Sequence, residues 1–172
     1  EEKEVILKKY MEEGFPENFI KVGSPFAQFF YHEGLFRCGL EAKIIDDVII
    51  NWSKMTDAGA TSCYETFPGW ERDMITRSYS HAWSCAPNFV AGNIVLGVRP
   101  LSPGFKDTII KPVLGKLSWA TGSVPVPGSR IDMDIRKTEK GKTKVLAVVP
   151  EWINIMTEGD PDTEFEIIKR SV

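Results

Sequence analysis

The sequence predicts an α+β protein in two parts, αα-hairpins followed by a small antiparallel β-sandwich. Apolar residues recur with helical spacing over roughly residues 1–100, and with a period of two beyond that point. Glycine and proline turns become frequent where the period changes, around residues 97–104. We therefore predict two domains, residues 1–100 and residues 101–172.

The composition is that of a globular chain without affinity for polyanions. Hydrophobic residues make up 42% of the 172 residues and charged residues 26%. A net charge of −3 gives no positive field for nucleic acid or an anionic membrane, which favours a neutral partner such as a sugar. No apolar run approaches the ~20 residues that span a bilayer. We expect no nucleic-acid or membrane partner, and the sequence does not distinguish a cytoplasmic protein from a periplasmic or secreted one.

The three cysteines do not form a recognisable framework. Cys38, Cys63 and Cys85 are odd in number and lack paired C-x-x-C spacing, which argues against a zinc site and against a disulfide scaffold. We expect small buried apolar side chains, and neither a metal nor a cofactor.

The helical part contains a predicted αα-hairpin. An apolar stretch over residues 25–38 begins with Ser24 as N-cap and Pro25 at the first helical position. An amphipathic helix follows over roughly residues 40–56 after a connection too short for anything but antiparallel neighbours. Further helices are predicted over residues 1–13 and 80–97, the latter started or kinked by Pro87.

The second part reads as short strands joined by turns. Residues 130–136 alternate without a fault, which predicts that Ile131, Met133 and Ile135 face a core. Residues 139–142 are predicted to form a hairpin turn, because Gly141 lies between polar residues. The turn leads into the next strand. The other predicted strands cover residues 107–111, 117–124, 143–149 and 164–169.

The connection over residues 57–73 is too long for a simple helix linker and is rich in aromatic and acidic residues. Such loops are usually functional. A sugar site needs flat aromatic walls, here Tyr64 and Trp70, beside groups that form hydrogen bonds. Glycosidic cleavage needs two carboxyl groups, for which Glu65 is the candidate in this loop. By contrast His32 and Trp83 are expected to be core residues.

Four segments carry a resemblance to a known family. The segments are 59–67, 78–84, 96–101 and 112–125, and in this order they are similar to the C-terminal part of bacterial α-L-rhamnosidases. The resemblance covers about residues 24–136. It implies that the helices belong to an incomplete (α/α)6 toroid, the catalytic domain of a six-hairpin glycosidase, followed by the C-terminal β-sandwich domain.

The resemblance also implies the chemistry. Members release L-rhamnose with inversion and without a metal. Glu65 lies where the family has its candidate general base, and His81 where a histidine lines the sugar site. Tyr64 stands where tryptophan is commoner. These positions give the predicted site: Glu65 as catalytic residue, with Tyr64, Trp70 and His81 binding a rhamnose-containing glycan or glycoside.

No segment matches the family's general acid, which comes from an earlier hairpin. The chain is therefore expected to be a C-terminal fragment that is inactive alone and self-associates through its helical half. Two alternatives stay open: a non-catalytic carbohydrate-binding or scaffold protein with the same fold, and another toroid glycosidase such as an unsaturated glucuronyl hydrolase.

Overall fold

A computed structural model describes residues 22–171 of the chain. The chain divides into two compact units, Glu1–Ala86 and Pro87–Val172. The helix predicted over residues 1–13 lies outside the described residues. The unit boundary precedes the change of hydrophobic period at residues 97–104, because the last helical turn, Ala91–Val95, packs with strands that follow it in the chain.

The first unit contains the predicted helical hairpin. Helix α1 spans Pro25–Arg37, and the Ser24 hydroxyl accepts a hydrogen bond from the Ala27 amide at its N-terminus. Helix α2 spans Glu41–Asp57. Gly39 joins the two with a φ of 75°, a conformation that other residues adopt only with strain. The N-cap and the short connection are both confirmed.

A buried polar contact joins the two helices. The Asp47 carboxylate on α2 lies 2.7 Å from His32 Nε2 on α1 and accepts a 2.5 Å hydrogen bond from Gln28 Nε2. It also accepts a hydrogen bond from Asn51. His32 and Gln28 are buried, so their polar atoms need such a partner. The sequence prediction of His32 as a hydrogen-bonded core histidine agrees with this geometry.

The third helical segment is shorter than predicted. Helix α3 spans Ala86–Val90 and continues as a π-helical turn over Ala91–Val95. Before it lies a 3₁₀ turn over Ala82–Ser84 rather than α-helix. Pro87 has no amide hydrogen to donate, which is tolerated in the first turn of a helix and explains why α3 begins at this position.

The second unit contains seven strands in two sheets. The strands are β1 (Val98–Pro100), β2 (Asp107–Ile110), β3 (Trp119–Val126), β4 (Ser129–Lys137), β5 (Thr143–Pro150), β6 (Asn154–Thr157) and β7 (Thr163–Arg170). Three strands form one sheet in the order β1-β2-β6, and four form the other in the order β3-β4-β5-β7. The α+β class is thereby confirmed.

Each sheet contains one parallel pair, which the sequence did not predict; the other pairs, one in the three-stranded sheet and two in the four-stranded sheet, are antiparallel. Strands β2 and β6 are parallel, and so are β5 and β7. The cause is the path of the chain: after β5 it crosses to the other sheet as β6 and returns as β7. The sequence analysis did not predict strands β1 and β6, which are three and four residues long.

The core of the second unit is shared by both sheets, as in a sandwich. Ile131, Met133 and Ile135 on β4 are buried, as their alternation predicted. They pack in one cluster with residues of the other sheet, among them Val98 and Ile110.

We expect Gly97→Ala to destabilise the second unit by about 2–5 kcal/mol, since strain and overpacking act together. Gly97 has a φ of 72°, and a Cβ there would lie 2.1 Å from the carbonyl carbon of Lys111. The measurement is the free energy of unfolding in urea.

Gly104→Ala is the matched control. Gly104 has a similar φ of 70° but open space around an added Cβ, so it should lose only the strain of about 1–2 kcal/mol. Equal losses for the two variants would show that the contact with Lys111 is unimportant.

Candidate functional site

The candidate residues lie in the connection between α2 and α3. It begins after Asp57 and returns on itself through backbone hydrogen bonds. The Glu65 amide donates to the Ser78 carbonyl over 2.9 Å, and the His81 amide donates to the Cys63 carbonyl over 2.8 Å. These two bonds bring the segments around Glu65 and His81 side by side, although sixteen residues separate them in the sequence.

Glu65 is partly exposed between buried neighbours. Tyr64 before it and Thr66 after it are 5% and 6% exposed, whereas the Glu65 side chain is 24% exposed. The two buried neighbours fix the backbone on both sides of the Glu65 carboxylate. The Glu65 side chain accepts no hydrogen bond from the described part of the chain, which leaves its oxygens available to water or a ligand.

A buried hydroxyl pair holds the loop at this point. Thr76 is 2% exposed, and its Oγ1 accepts hydrogen bonds from the Thr66 amide at 3.1 Å and from Thr66 Oγ1 at 3.2 Å. The same hydroxyl donates to the Ser78 carbonyl at 3.3 Å. The pair therefore connects the residue after Glu65 to the strand-like segment opposite it.

The His81 ring faces the Glu65 carboxylate but does not form a hydrogen bond with it. Its Nδ1 lies 3.8 Å from Glu65 Oε2, which is too long for a hydrogen bond. The arrangement brings together one accessible base and one imidazole, two of the four predicted site residues.

An aromatic surface lies next to His81. The Trp83 ring is 4.1 Å from the His81 ring and 5.1 Å from that of Phe26, between centroids. Phe30 continues the row, 5.4 Å from Phe26. Trp83 is 49% exposed, so its prediction as a core residue is wrong; the 3₁₀ turn places its ring outward.

Tyr64 and Trp70 occupy different environments. Tyr64 is buried in a cluster with Trp52 and Phe67, and its ring meets the exposed ring of Tyr79 edge to face at 5.2 Å. Trp70 is 49% exposed and covers Gly23, where a Cβ would lie 2.0 Å from the indole. The backbone at Gly23 thus supports the Trp70 ring.

One ion pair and two thiols lie in the same connection. Arg77 donates to Glu71 over 2.7 Å, so the charges of these two residues are paired. Burial raises the pKa of the Cys63 thiol, and the neighbouring Cys85 thiol adds to the effect. On the helices, burial and then the Asp47 carboxylate raise the pKa of Tyr31.

The described residues contain no group of three or more His, Cys, Asp or Glu side chains placed to hold a metal ion. None of the helices within residues 22–171 is both long and apolar enough to cross a membrane. What the site offers is a carboxylate that can accept a proton, an imidazole and exposed aromatic rings, a combination suited to a neutral, hydroxyl-rich ligand.

Comparison with known proteins finds similarity to bacterial α-L-rhamnosidases. Residues 97–155 match the family model of the bacterial alpha-L-rhamnosidase C-terminal domain. An alpha-L-rhamnosidase of Alteromonas sp. (strain LOR) is 40% identical over 75 residues, which are 43% of this chain and 8% of that protein. A GH78 family rhamnosidase of Bacillus sp. GL1, whose crystal structure is known, is 32% identical, with a TM-score of 0.84 over 98% of this chain and 18% of that one.

The structure of an alpha-L-rhamnosidase from Dictyoglumus thermophilum shares the fold at 23% identity, with a TM-score of 0.55 over 67% of this chain and 14% of that one. The chain thus spans less than a fifth of the length of each of these relatives. Helices followed by a β-sandwich are the features that this chain shares with the C-terminal part of the Bacillus sp. GL1 rhamnosidase. These matches confirm the predicted resemblance to the C-terminal part of bacterial α-L-rhamnosidases.

Several residues of the site were not singled out by the sequence. Thr66 and Thr76 could be recognised only from their contact in the structure, because they lie ten positions apart in the sequence and neither has a distinctive neighbour. Tyr79 and Trp83 do carry a signal: each lies two residues from His81, in a segment that is not periodic. An aromatic residue on either side of a polar ring is typical of a binding surface.

We expect Thr76→Val to destabilise the first unit by about 1–3 kcal/mol, because it leaves the buried Thr66 amide without an acceptor while preserving shape. Thermal unfolding measures the effect. Ser78→Ala is the matched control: its hydroxyl makes a partly exposed bond to the Ser80 carbonyl, so its removal should change stability by less than about 0.5 kcal/mol. Equal stability of the two variants would contradict the role given to the hydroxyl pair.

Proposed function

We propose that this chain supplies the general base and part of the sugar site of an inverting α-L-rhamnosidase. The observation that carries the proposal is the Glu65 carboxylate, held between buried residues with its oxygens uncommitted and His81 3.8 Å away. In an inverting glycosidase such a carboxylate takes a proton from the water that attacks the anomeric carbon.

The surroundings of Glu65 support this role. A general base must be ionised and must have room for a water molecule beside it. The side chain is partly exposed, and the loop bonds from Glu65 to Ser78 and from Thr66 to Thr76 hold its backbone. A base fixed in this way loses little freedom when the substrate arrives, which favours a productive geometry.

Sugar binding is assigned to the residues around it. His81 has both a polar ring nitrogen and a place next to the exposed Trp83 ring. Trp70 offers a second exposed ring on the same loop. Tyr64 contributes indirectly. Its buried ring packs against the ring of Tyr79, and the Tyr79 ring is the exposed one. The proposed partner is therefore a rhamnose-containing glycan or glycoside.

The general acid is proposed to come from a longer protein in which this chain is the C-terminal part. Inversion requires the acid and base to be about 6.5–9.5 Å apart across the bond. Within the described loop Glu71 is unsuited to that role, because it is ion-paired with Arg77. We accordingly propose residues 1–100 as the end of the catalytic domain, residues 101–172 as the sandwich domain, and the isolated chain as inactive.

We expect Glu65→Gln in the longer protein to lower kcat for an aryl α-L-rhamnoside by ~10²–10⁴-fold, since the amide cannot accept the proton. Rhamnose should still bind, because the change preserves shape. Release of the aryl group measures turnover, and product inhibition by rhamnose measures binding. The isolated 172-residue chain should show no turnover in the same assay.

Glu71→Gln is the matched control, because it neutralises a carboxylate of the same loop whose oxygen is already bound by Arg77. Its kcat should stay within about threefold of the parent value. Near-parental turnover by Glu65→Gln would place the base elsewhere. Normal rhamnose binding by a parent without any turnover would favour the non-catalytic carbohydrate-binding alternative.

Self-association is proposed for the isolated chain, because its helices expose large apolar side chains. Phe26 and Phe30 on α1, and Ile49 and Ile50 on α2, are all about half exposed or more. Monomers rarely expose a contiguous apolar patch of more than a few hundred Å². We expect the mass from light scattering to rise with concentration, and the double variant Phe30→Gln, Ile50→Gln to remain monomeric.

The control is Ile168→Gln, which removes an isoleucine of β7 in the second unit that is 45% exposed. It should associate as the parent chain does. A parent chain that is monomeric at all concentrations, with a sharp cooperative melt, would show that the helical half needs no partner.

A further inference from the structure

A groove in the second unit has no part in the site described above. It lies between α3 with its π-helical turn and the edge strand β3, and its volume is about 670 Å³. That volume is within the range of small-ligand sites. All of its lining residues belong to the Pro87–Val172 unit.

The groove has one large aromatic wall. Trp119, the first residue of β3, lines it and is 57% exposed. Exposure of so large a ring beside a cavity is costly in water and typical of a binding platform. The Phe105 ring and the Leu96 side chain add an apolar floor.

Several polar groups along the groove lack a hydrogen-bond partner among the described residues. The amide of Asn88 and the hydroxyl of Thr121 make no hydrogen bond within residues 22–171, and both line the groove. The Asn93 amide nitrogen donates to the Phe89 carbonyl, and its oxygen stays open to a ligand. These groups offer both donors and acceptors next to the indole.

No charged side chain is among the lining residues that the structure describes. A phosphate, a uronic acid or an ammonium group would therefore find no partner of opposite charge. A ligand that pairs an apolar ring face with several neutral hydroxyls matches all of these features, since the face packs on Trp119 and the hydroxyls meet the amides.

The walls are held in place by close packing. A Cβ on Gly122 of β3 would lie 3.0 Å from Leu96 Cδ1, and one on Gly92 would lie 3.7 Å from Val124. Phe105 adopts a φ of 64°, which a bulky residue takes only with strain. Strain of this kind persists where the surroundings demand it, and here it places an aromatic ring against the groove.

We propose that this groove binds a saccharide: Trp119 stacks on the face of a neutral sugar ring, while Asn88, Asn93 and Thr121 bind its hydroxyls. The choice of a sugar among neutral ligands rests on the proposed function. The location of the site and its preference for a neutral ligand do not. It makes the sandwich a second carbohydrate-binding element, separate from Glu65.

The main competitor is an extended peptide added to the free edge of β3. An edge strand offers unpaired backbone groups to such a partner. The lining favours the sugar, because Pro125 removes one backbone donor from this edge and the uncommitted side-chain groups would have no role in backbone pairing.

The test is a titration of the ¹⁵N-labelled 172-residue chain, observed at the indole N–H of Trp119. That signal is assigned by its loss in Trp119→Phe. The probes are methyl α-L-rhamnoside and methyl β-D-glucoside, with digalacturonate as the charged counterpart. We expect saturable shifts with at least one neutral glycoside at millimolar concentration, and binding of digalacturonate weaker by about tenfold or more.

Variants locate the site. Trp119→Ala should weaken binding about tenfold or more, followed at the Thr121 amide, and Thr121→Val should weaken it several-fold without removing the ring. Trp152→Ala removes a comparably exposed tryptophan of the same unit and should leave affinity unchanged. Glu65→Gln should also bind as the parent chain does, so failure of the proposed catalytic role would not affect this result.

Three results would overturn the proposal. One is the lack of a saturable shift of Trp119 with either neutral glycoside. Another is unchanged affinity in both Trp119→Ala and Thr121→Val. The third is saturable binding of a Thr-Val hexapeptide at the β3 amides without any response to sugars, which would identify a strand-docking edge instead.

Discussion

The burial of residues on both sides of Glu65 is the constraint on which the candidate site depends. A carboxylate on a long loop would ordinarily sample many positions, and ordering it costs conformational entropy. Here Tyr64 packs into the cluster with Trp52, and the Thr66 amide is bound by the Thr76 hydroxyl. The hydrophobic effect and one buried hydrogen bond thus fix the backbone, while the charged end of Glu65 remains in contact with water.

The same logic extends to His81 and the aromatic surface. The backbone bond from His81 to Cys63 sets the imidazole opposite the carboxylate. The 3₁₀ turn that follows points Trp83 outward, and Trp52 donates its indole hydrogen to the Ser84 carbonyl from below. Helix α2 therefore supports the turn that carries the exposed ring, and links the helical core to the aromatic surface.

Periodicity allowed most of the fold to be predicted, because helix and strand spacing reflect burial on one face. The N-cap at Ser24 and the alternation on β4 are local signals, and both were read correctly. Strand β6 and the parallel pairing of β7 depend on how distant segments meet, which no local pattern encodes. The same reason explains which residues of the candidate site could be predicted. Glu65 and His81 were proposed from the family resemblance, whereas Thr76 could be found only from its contact with Thr66.

The central claim is that Glu65 activates the attacking water. It is tested most directly by adding azide to a Glu65→Ala variant of the longer protein with an aryl α-L-rhamnoside as substrate. Azide can occupy the space left by the side chain and attacks without needing a base. The account predicts restored turnover and a rhamnosyl azide of inverted, β configuration. Absence of rescue, or an azide product that retains the α configuration, would contradict it.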